Sequence, residues 1–122
     1  MKPKVILSAE DNAANRRIIR DLFGKKGYRV IEALNGEEAV EIAKREKPDL
    51  ILMDIQLPKI SGYDAARAIK SNPELKHIPI IAVTSYALSG DDQKAYEAGC
   101  DDYITKPFRP SVLLEKVEKH LN

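Results

Sequence analysis

The chain has 122 residues, 43% hydrophobic and 32% charged, with a formal net charge of +1. That is enough for one domain with its own core, spanning residues 1–122, and the near-neutral balance gives no bulk drive toward nucleic acid or an anionic membrane. No N-terminal signal pattern is present and no apolar run approaches the ~18 residues of a membrane span, so a cytoplasmic protein with no membrane partner is expected.

The elements follow in chain order. Val5 to Ala9 reads as a short strand, interrupted in character by Ser8, that runs directly into Glu10-Asp11. Asn12 or Asn15 opens the first helix, whose Ile18, Ile19, Leu22 and Phe23 recur at helical spacing until Gly24 and Gly27 end it. Arg29 to Ala33 is a second strand, Asn35-Gly36 a turn, and Glu37 to Glu46 a helix with Ala39, Val40, Ile42 and Ala43 on one face. Leu50 to Met53 is a continuous apolar run, the pattern of a strand buried on both faces of a parallel sheet, and it stops at Asp54. Pro58 and Gly62 hold the next connection open, because neither suits the interior of a regular element.

Ser61 and Asp64 form a capping box for a helix through Ala65, Ala66 and Ile69, which Asn72-Pro73 breaks. Ile80 to Val83 is the fourth strand, ending in Thr84-Ser85. Ser89 and Asp92 form a second capping box, before a helix that has little beyond Ala95, Tyr96 and Ala98 to bury and is therefore weakly anchored. Gly99 closes it. A fifth strand around Asp102 to Thr105 leads to Lys106-Pro107, and a last helix begins near Pro110 with Leu113, Val117 and Leu121 as its core stripe. Strands alternating with helices in this way imply a parallel, doubly wound α/β domain. Cys100 is the single cysteine, which excludes an internal disulfide and agrees with a reducing compartment; it reads as a core residue, and His77 and His120 read as surface residues.

In such a sheet, chemistry collects outside the carboxyl ends of the strands. Those ends carry Glu10 and Asp11, Asp54, Thr84 and Lys106. Clustered carboxylates repel, so without a cation one must take up a proton. An all-oxygen site with room for waters suits Mg²⁺, with Mn²⁺ able to replace it. A hydroxyl and an ammonium beside it make a trap for a phosphoryl group, and Asp54 is the best-placed nucleophile toward phosphorus. Each residue alone is a weak signal, while their joint occurrence on alternating strands is specific.

Glu10-Asp11-Asn12, Met53-Asp54-Ile55-Gln56-Leu57-Pro58 with Gly62, Val83-Thr84-Ser85 and Lys106-Pro107 together resemble response-regulator receiver domains, over Val5 to Leu121. The resemblance implies a flavodoxin-like (CheY-like) sheet of order 2-1-3-4-5 with five flanking helices. It implies that Glu10, Asp11 and Asp54 bind the metal with the Gln56 backbone carbonyl, and that Asp54 is the phosphoacceptor. Thr84 becomes the switch hydroxyl, Lys106 the phosphate-binding lysine and Tyr103 the switch aromatic. The expected partners are a histidine kinase or histidine phosphotransfer protein and a downstream protein target. Glu10 departs from the usual aspartate, and its longer arm is expected to reach the metal through water. The style is that of single-domain receivers of the DivK type, with receivers of hybrid histidine kinases a looser match.

Two other classes compete. A Mg²⁺-dependent phosphatase would want an acid two residues after the nucleophile, where Gln56 stands. A flavodoxin-like ligand-binding domain would want a Gly-rich phosphate loop after the first strand, and none follows. Further expectations are a donor-docking patch of Ala14, Asn15, Ile18, Pro107 and Phe108, and a water approach bordered by Gln56 and Tyr86.

Overall fold

Each short apolar run becomes a strand, and the strands lie parallel in one sheet. In the computed structural model, which describes residues 3–84 and 91–121, β1 (Val5–Ala9), β2 (Arg29–Ala33), β3 (Leu50–Asp54), β4 (Ile80–Thr84) and β5 (Asp102–Thr105) alternate with α1 (Ala13–Gly24), α2 (Gly36–Glu46), α3 (Gly62–Lys70), α4 (Asp91–Glu97) and α5 (Pro110–Leu121). The sheet order is β2-β1-β3-β4-β5, as expected. Among the described residues no helix is long and apolar enough to cross a membrane.

Side chains alternate across a strand, so β3 divides its buried residues between two cores. Ile51 and Met53 join Leu7, Ala33, Ile80 and Ala82 beneath the alanine-rich faces of α2 and α3 and Ala95 of α4. Leu50 and Leu52 join Ile6, Ile81, Val83 and Ile104 beneath Ile19 and Phe23 of α1 and Leu113 and Val117 of α5. Each large apolar chain so placed contributes about 1.5–3 kcal/mol. Leu75 and Ile78, in the connection after α3, are also fully buried and extend the first core.

The helix starts follow from side-chain caps. Asn12 caps α1, its side chain accepting from Asn15 N–H at 3.0 Å. Asn35 caps α2 by accepting from Glu38 N–H at 2.8 Å, so Asn35-Gly36 is the start of that helix and not a separate turn. Ser61 caps α3, as expected. Gly62 is the first residue of α3 and not part of an open connection. A Cβ there would lie 2.2 Å from Asp54 O, so only glycine allows this approach. Gly99 closes the α4 segment at φ +97°.

Two expectations about surface and core are corrected. Tyr96 is 49% exposed, because Ala95 and Ala98 share the inner face and Tyr96 lies a third of a turn away. Its ring meets Tyr103 edge to face at 6.1 Å. His120 is half-buried rather than open to solvent: its Nε2 lies 3.1 Å from Asp102 Oδ2, beside Lys116 Nζ at 3.1 Å from Oδ1. Burial alone would raise the Asp102 carboxyl, but His120, the Tyr103 N–H and Lys116 outweigh it and hold it below its ordinary value. His77 is exposed. Cys100 is buried, and burial pushes its thiol up to about 11. The Ser89 cap lies outside the described residues.

At the sheet edge opposite the strand ends, Lys70 Nζ donates to the carbonyls of Lys76 (3.1 Å) and Ile78 (2.7 Å) and to Asp101 Oδ2 (2.9 Å). Asp101 Oδ2 also accepts from Ile80 N–H at 2.8 Å. This knot ties the end of α3 to the residues that follow α4.

Candidate functional site

The register brings the strand ends level. Ala9 pairs with Met53, Asp54 with Val83, and Thr84 with Thr105. Glu10, Asp54, Thr84 and Lys106 therefore emerge beside one another. Glu10 and Asp54 are 2% and 3% exposed, so both carboxylates have lost most of their water, whereas Asp11 is open to solvent.

One oxygen from each of Glu10, Asp11 and Asp54 lies within 4.8 Å of the others. Lys106 Nζ sits between the two buried carboxylates, 2.7 Å from Glu10 Oε1 and 2.9 Å from Asp54 Oδ2. The Gln56 N–H donates to Asp54 Oδ1 at 3.0 Å, and the Asn12 N–H to Glu10 Oε2 at 3.2 Å. Burial and then the neighbouring Asp54 push the Glu10 carboxyl above its ordinary value, against the pull of Lys106. Burial would lower the Lys106 pKa, but the two carboxylates more than reverse it, so the ammonium stays charged.

Glu10 Oε1 is buried, with the Lys106 ammonium 2.7 Å away as an ion-pair partner and no hydrogen bond of its own. A desolvated carboxylate oxygen in that state is costly. A hard cation, held between Glu10, Asp54 and the solvent-open Asp11, would relieve it. The donor set is all oxygen and fits such an ion. The longer arm of Glu10 thus reaches Lys106 in this structure.

The other expected residues fall as follows. Thr84 is buried at the end of β4, and its carbonyl accepts from Lys106 N–H at 2.7 Å. Tyr103 is half-buried against Tyr96. Gln56 is exposed and touches the site through its backbone N–H. Tyr86 lies outside the described residues. Asn15, Ile18, Pro107 and Phe108 of the expected docking patch line one cavity of about 390 Å³, together with Lys106 and Pro110. Ile18 is 43% exposed and belongs to that surface rather than the core. Ala14 is exposed outside the lining.

Sequence reasoning missed Arg16. Its Nη1 donates to the carbonyls of Glu10 (3.3 Å) and Asp11 (2.8 Å). Backbone carbonyls carry no residue identity, so the only available signal was an arginine one helical turn after the cap.

Comparison with known proteins agrees with this geometry. Residues 6–118 match the response regulator receiver domain family. The polar-differentiation response regulator DivK of Brucella anthropi is 43% identical over 119 residues, covering 98% of this chain and 97% of that protein. The receiver domain of a sensor histidine kinase from Pseudomonas aeruginosa, solved with a magnesium ion coordinated in its active site cleft, superposes with a TM-score of 0.90 at 38% identity and 98% coverage of both chains. A CheY-like receiver domain protein from Methanospirillum hungatei gives a TM-score of 0.88 at 32% identity, covering 98% of this chain and 94% of that one. With sheet order, strand-end chemistry and a match across nearly the whole chain in accord, the chain belongs to the response regulator receiver domain family and is DivK-like.

Proposed function

We propose that the protein accepts a phosphoryl group from a phosphohistidine onto Asp54, in a Mg²⁺-dependent reaction in the cytoplasm, and that the acyl phosphate alters its contacts with other proteins. The observation that carries this reading is Asp54 itself. It is a buried carboxylate at the end of the central strand, with one oxygen on Lys106 and the other on the Gln56 N–H, beside two further carboxylates.

An Asp54 oxygen attacks phosphorus as the P–N bond breaks, with its electron pair going to the ring nitrogen. A proton on the other ring nitrogen lets the imidazole leave neutral. Bound Mg²⁺, held by Glu10, Asp11, Asp54 and the Gln56 carbonyl, would neutralise charge on the phosphoryl oxygens. As the Asp54 carboxylate becomes the acyl phosphate and loses its own charge, Lys106 turns from carboxylate to phosphoryl oxygen, and the Thr84 hydroxyl donates to another. Tyr103 follows Thr84 as the switch aromatic. Gln56 cannot protonate a leaving group, so the protein is a phosphoacceptor and not a turnover phosphatase.

The donor is a histidine kinase or histidine phosphotransfer protein, seated on the cavity between α1 and the β5–α5 connection. Asn15→Arg is expected to impair transfer from such a protein and leave acetyl phosphate chemistry intact.

The test is incubation with acetyl phosphate and Mg²⁺, read by intact mass. One added phosphate on the wild type and none on Asp54→Asn is the expected result. Equal uptake by both would overturn the assignment. A second reading, a receiver within a hybrid histidine kinase, draws on the 38% identity to the Pseudomonas aeruginosa domain. Immunodetection in cell extract at a mass well above that of this chain would favour it.

A further inference from the structure

We infer that Arg16 is a positioning residue for the divalent cation, acting through the backbone that carries Glu10 and Asp11. This rests on the reading of the acidic cluster as a Mg²⁺ site. The Glu10 carbonyl belongs to the peptide plane before Asp11, and the Asp11 carbonyl to the plane after it. The two backbone torsions of Asp11 are the rotations between those planes. One guanidinium nitrogen donates to both carbonyls, at 3.3 and 2.8 Å, and so fixes the direction in which the Asp11 side chain leaves the backbone.

Asp11 needs such a hold. Glu10 is buried and tied by its own N–H to Ala33 O at 3.0 Å and by its carboxylate to the Asn12 N–H. Asp11 is exposed, with no burial to keep it in place. Arg16 is itself anchored in the first turn of α1, its N–H on Asn12 O at 3.0 Å. The fork therefore locks the one carboxylate of the three that packing leaves loose.

The charge of Arg16 works in the opposite sense. A guanidinium near a cation site repels the cation, so charge removal alone would tighten Mg²⁺ binding. Loss of positioning would weaken it. The sign of the change decides between them.

The experiment is calorimetric titration of Mg²⁺ into the wild type, Arg16→Met, Arg16→Lys and Arg17→Met, each first checked for thermal unfolding in EDTA. Arg17 is exposed and has no contact with either carbonyl, so its variant removes the same charge without the fork. Arg16→Met is expected to weaken Mg²⁺ about tenfold, the scale of lost support behind a metal ligand. Arg16→Lys, which keeps the charge and a donor, falls between it and the wild type. With acetyl phosphate, the half-saturating Mg²⁺ concentration rises in Arg16→Met while the rate at saturating Mg²⁺ returns to that of the wild type. Wild type that binds no Mg²⁺ would remove the metal-site reading and this proposal with it. Wild type that binds, with Arg16→Met binding as tightly or tighter, or with Arg17→Met weakened equally, would overturn the positioning role alone. Should Arg16→Met fail to fold, Arg16→Lys at wild-type affinity and Arg16→Gln without any loss would overturn it as well.

Discussion

Lys106 is the residue on which the charge balance of the site turns. It holds two buried carboxylates at 2.7 and 2.9 Å, and it opposes the upward push on Glu10. Lys106→Met would leave both carboxylates without their partner, a loss of up to about 3–5 kcal/mol for a broken buried pair. The sign with pH follows from Glu10. A carboxyl whose folded pKa lies above its unfolded value favours folding when protonated, and that advantage is lost as pH rises from 4.5 through the folded value. The Lys106→Met deficit is therefore expected to be full at neutral pH without metal, and to shrink on acidification or on adding Mg²⁺. Urea unfolding across pH, with and without Mg²⁺, checks it; a deficit that ignores both would contradict the charge argument. Asp54, Glu10, Thr84 and Lys106 were legible in the sequence because each is a polar residue at or just past the carboxyl end of a strand. The Asn12 and Gln56 N–H groups and the Arg16 fork were not, since they act by or on a backbone that every sequence shares.

Among the elements, the start of α3 is tightly fitted against the end of β3. A Cβ on Gly62 would meet Asp54 O at 2.2 Å and Ile55 Cα at 2.7 Å, both backbone atoms that cannot step aside, whereas one on Gly24 meets nothing within 4 Å. Gly62→Ala is expected to lose about 1–3 kcal/mol by overpacking, and Gly24→Ala to gain up to about 1 kcal/mol of helix propensity. Urea midpoints of the two variants check the contrast; equal shifts would refute it. The strands and helices were legible because hydrophobic period and caps agree. Tyr96 was misjudged because a seven-residue helix is too short for its stripe to be fixed by pattern alone. Little burial opposes movement of α4, where Ala95 is buried and Tyr96 faces out. Beryllofluoride is therefore expected to move NMR signals in α4 and at Tyr103 as well as at the metal site. Shifts confined to the metal site would count against a Thr84–Tyr103 switch.

For the molecule as a whole, acid stability should depend on a cluster far from the phosphoacceptor chemistry. The Asp102 carboxyl is held below 3.8, so its contribution is present above that value and lost as pH falls through the folded one. Asp102→Asn is expected to cost roughly 1–3 kcal/mol at neutral pH and to flatten the acid limb of the stability curve. Thermal unfolding from neutral to acid pH measures both, and an unchanged acid limb would refute it. His120 escaped the sequence reading because its partner lies 18 residues back, brought near only when α5 folds over β5. The Lys70 knot has a mechanical consequence. It fastens the chain just beyond α4, through Asp101, to the end of α3. A rod held at one end swings about that end. Seven residues at ~1.5 Å each give an arm of about 10 Å. A swing of only ~10° then carries the Asp91 end roughly 2 Å, while Asp101 stays where it is. Any swing of α4 would thus pivot beside Asp101 and have its travel at the Asp91 end.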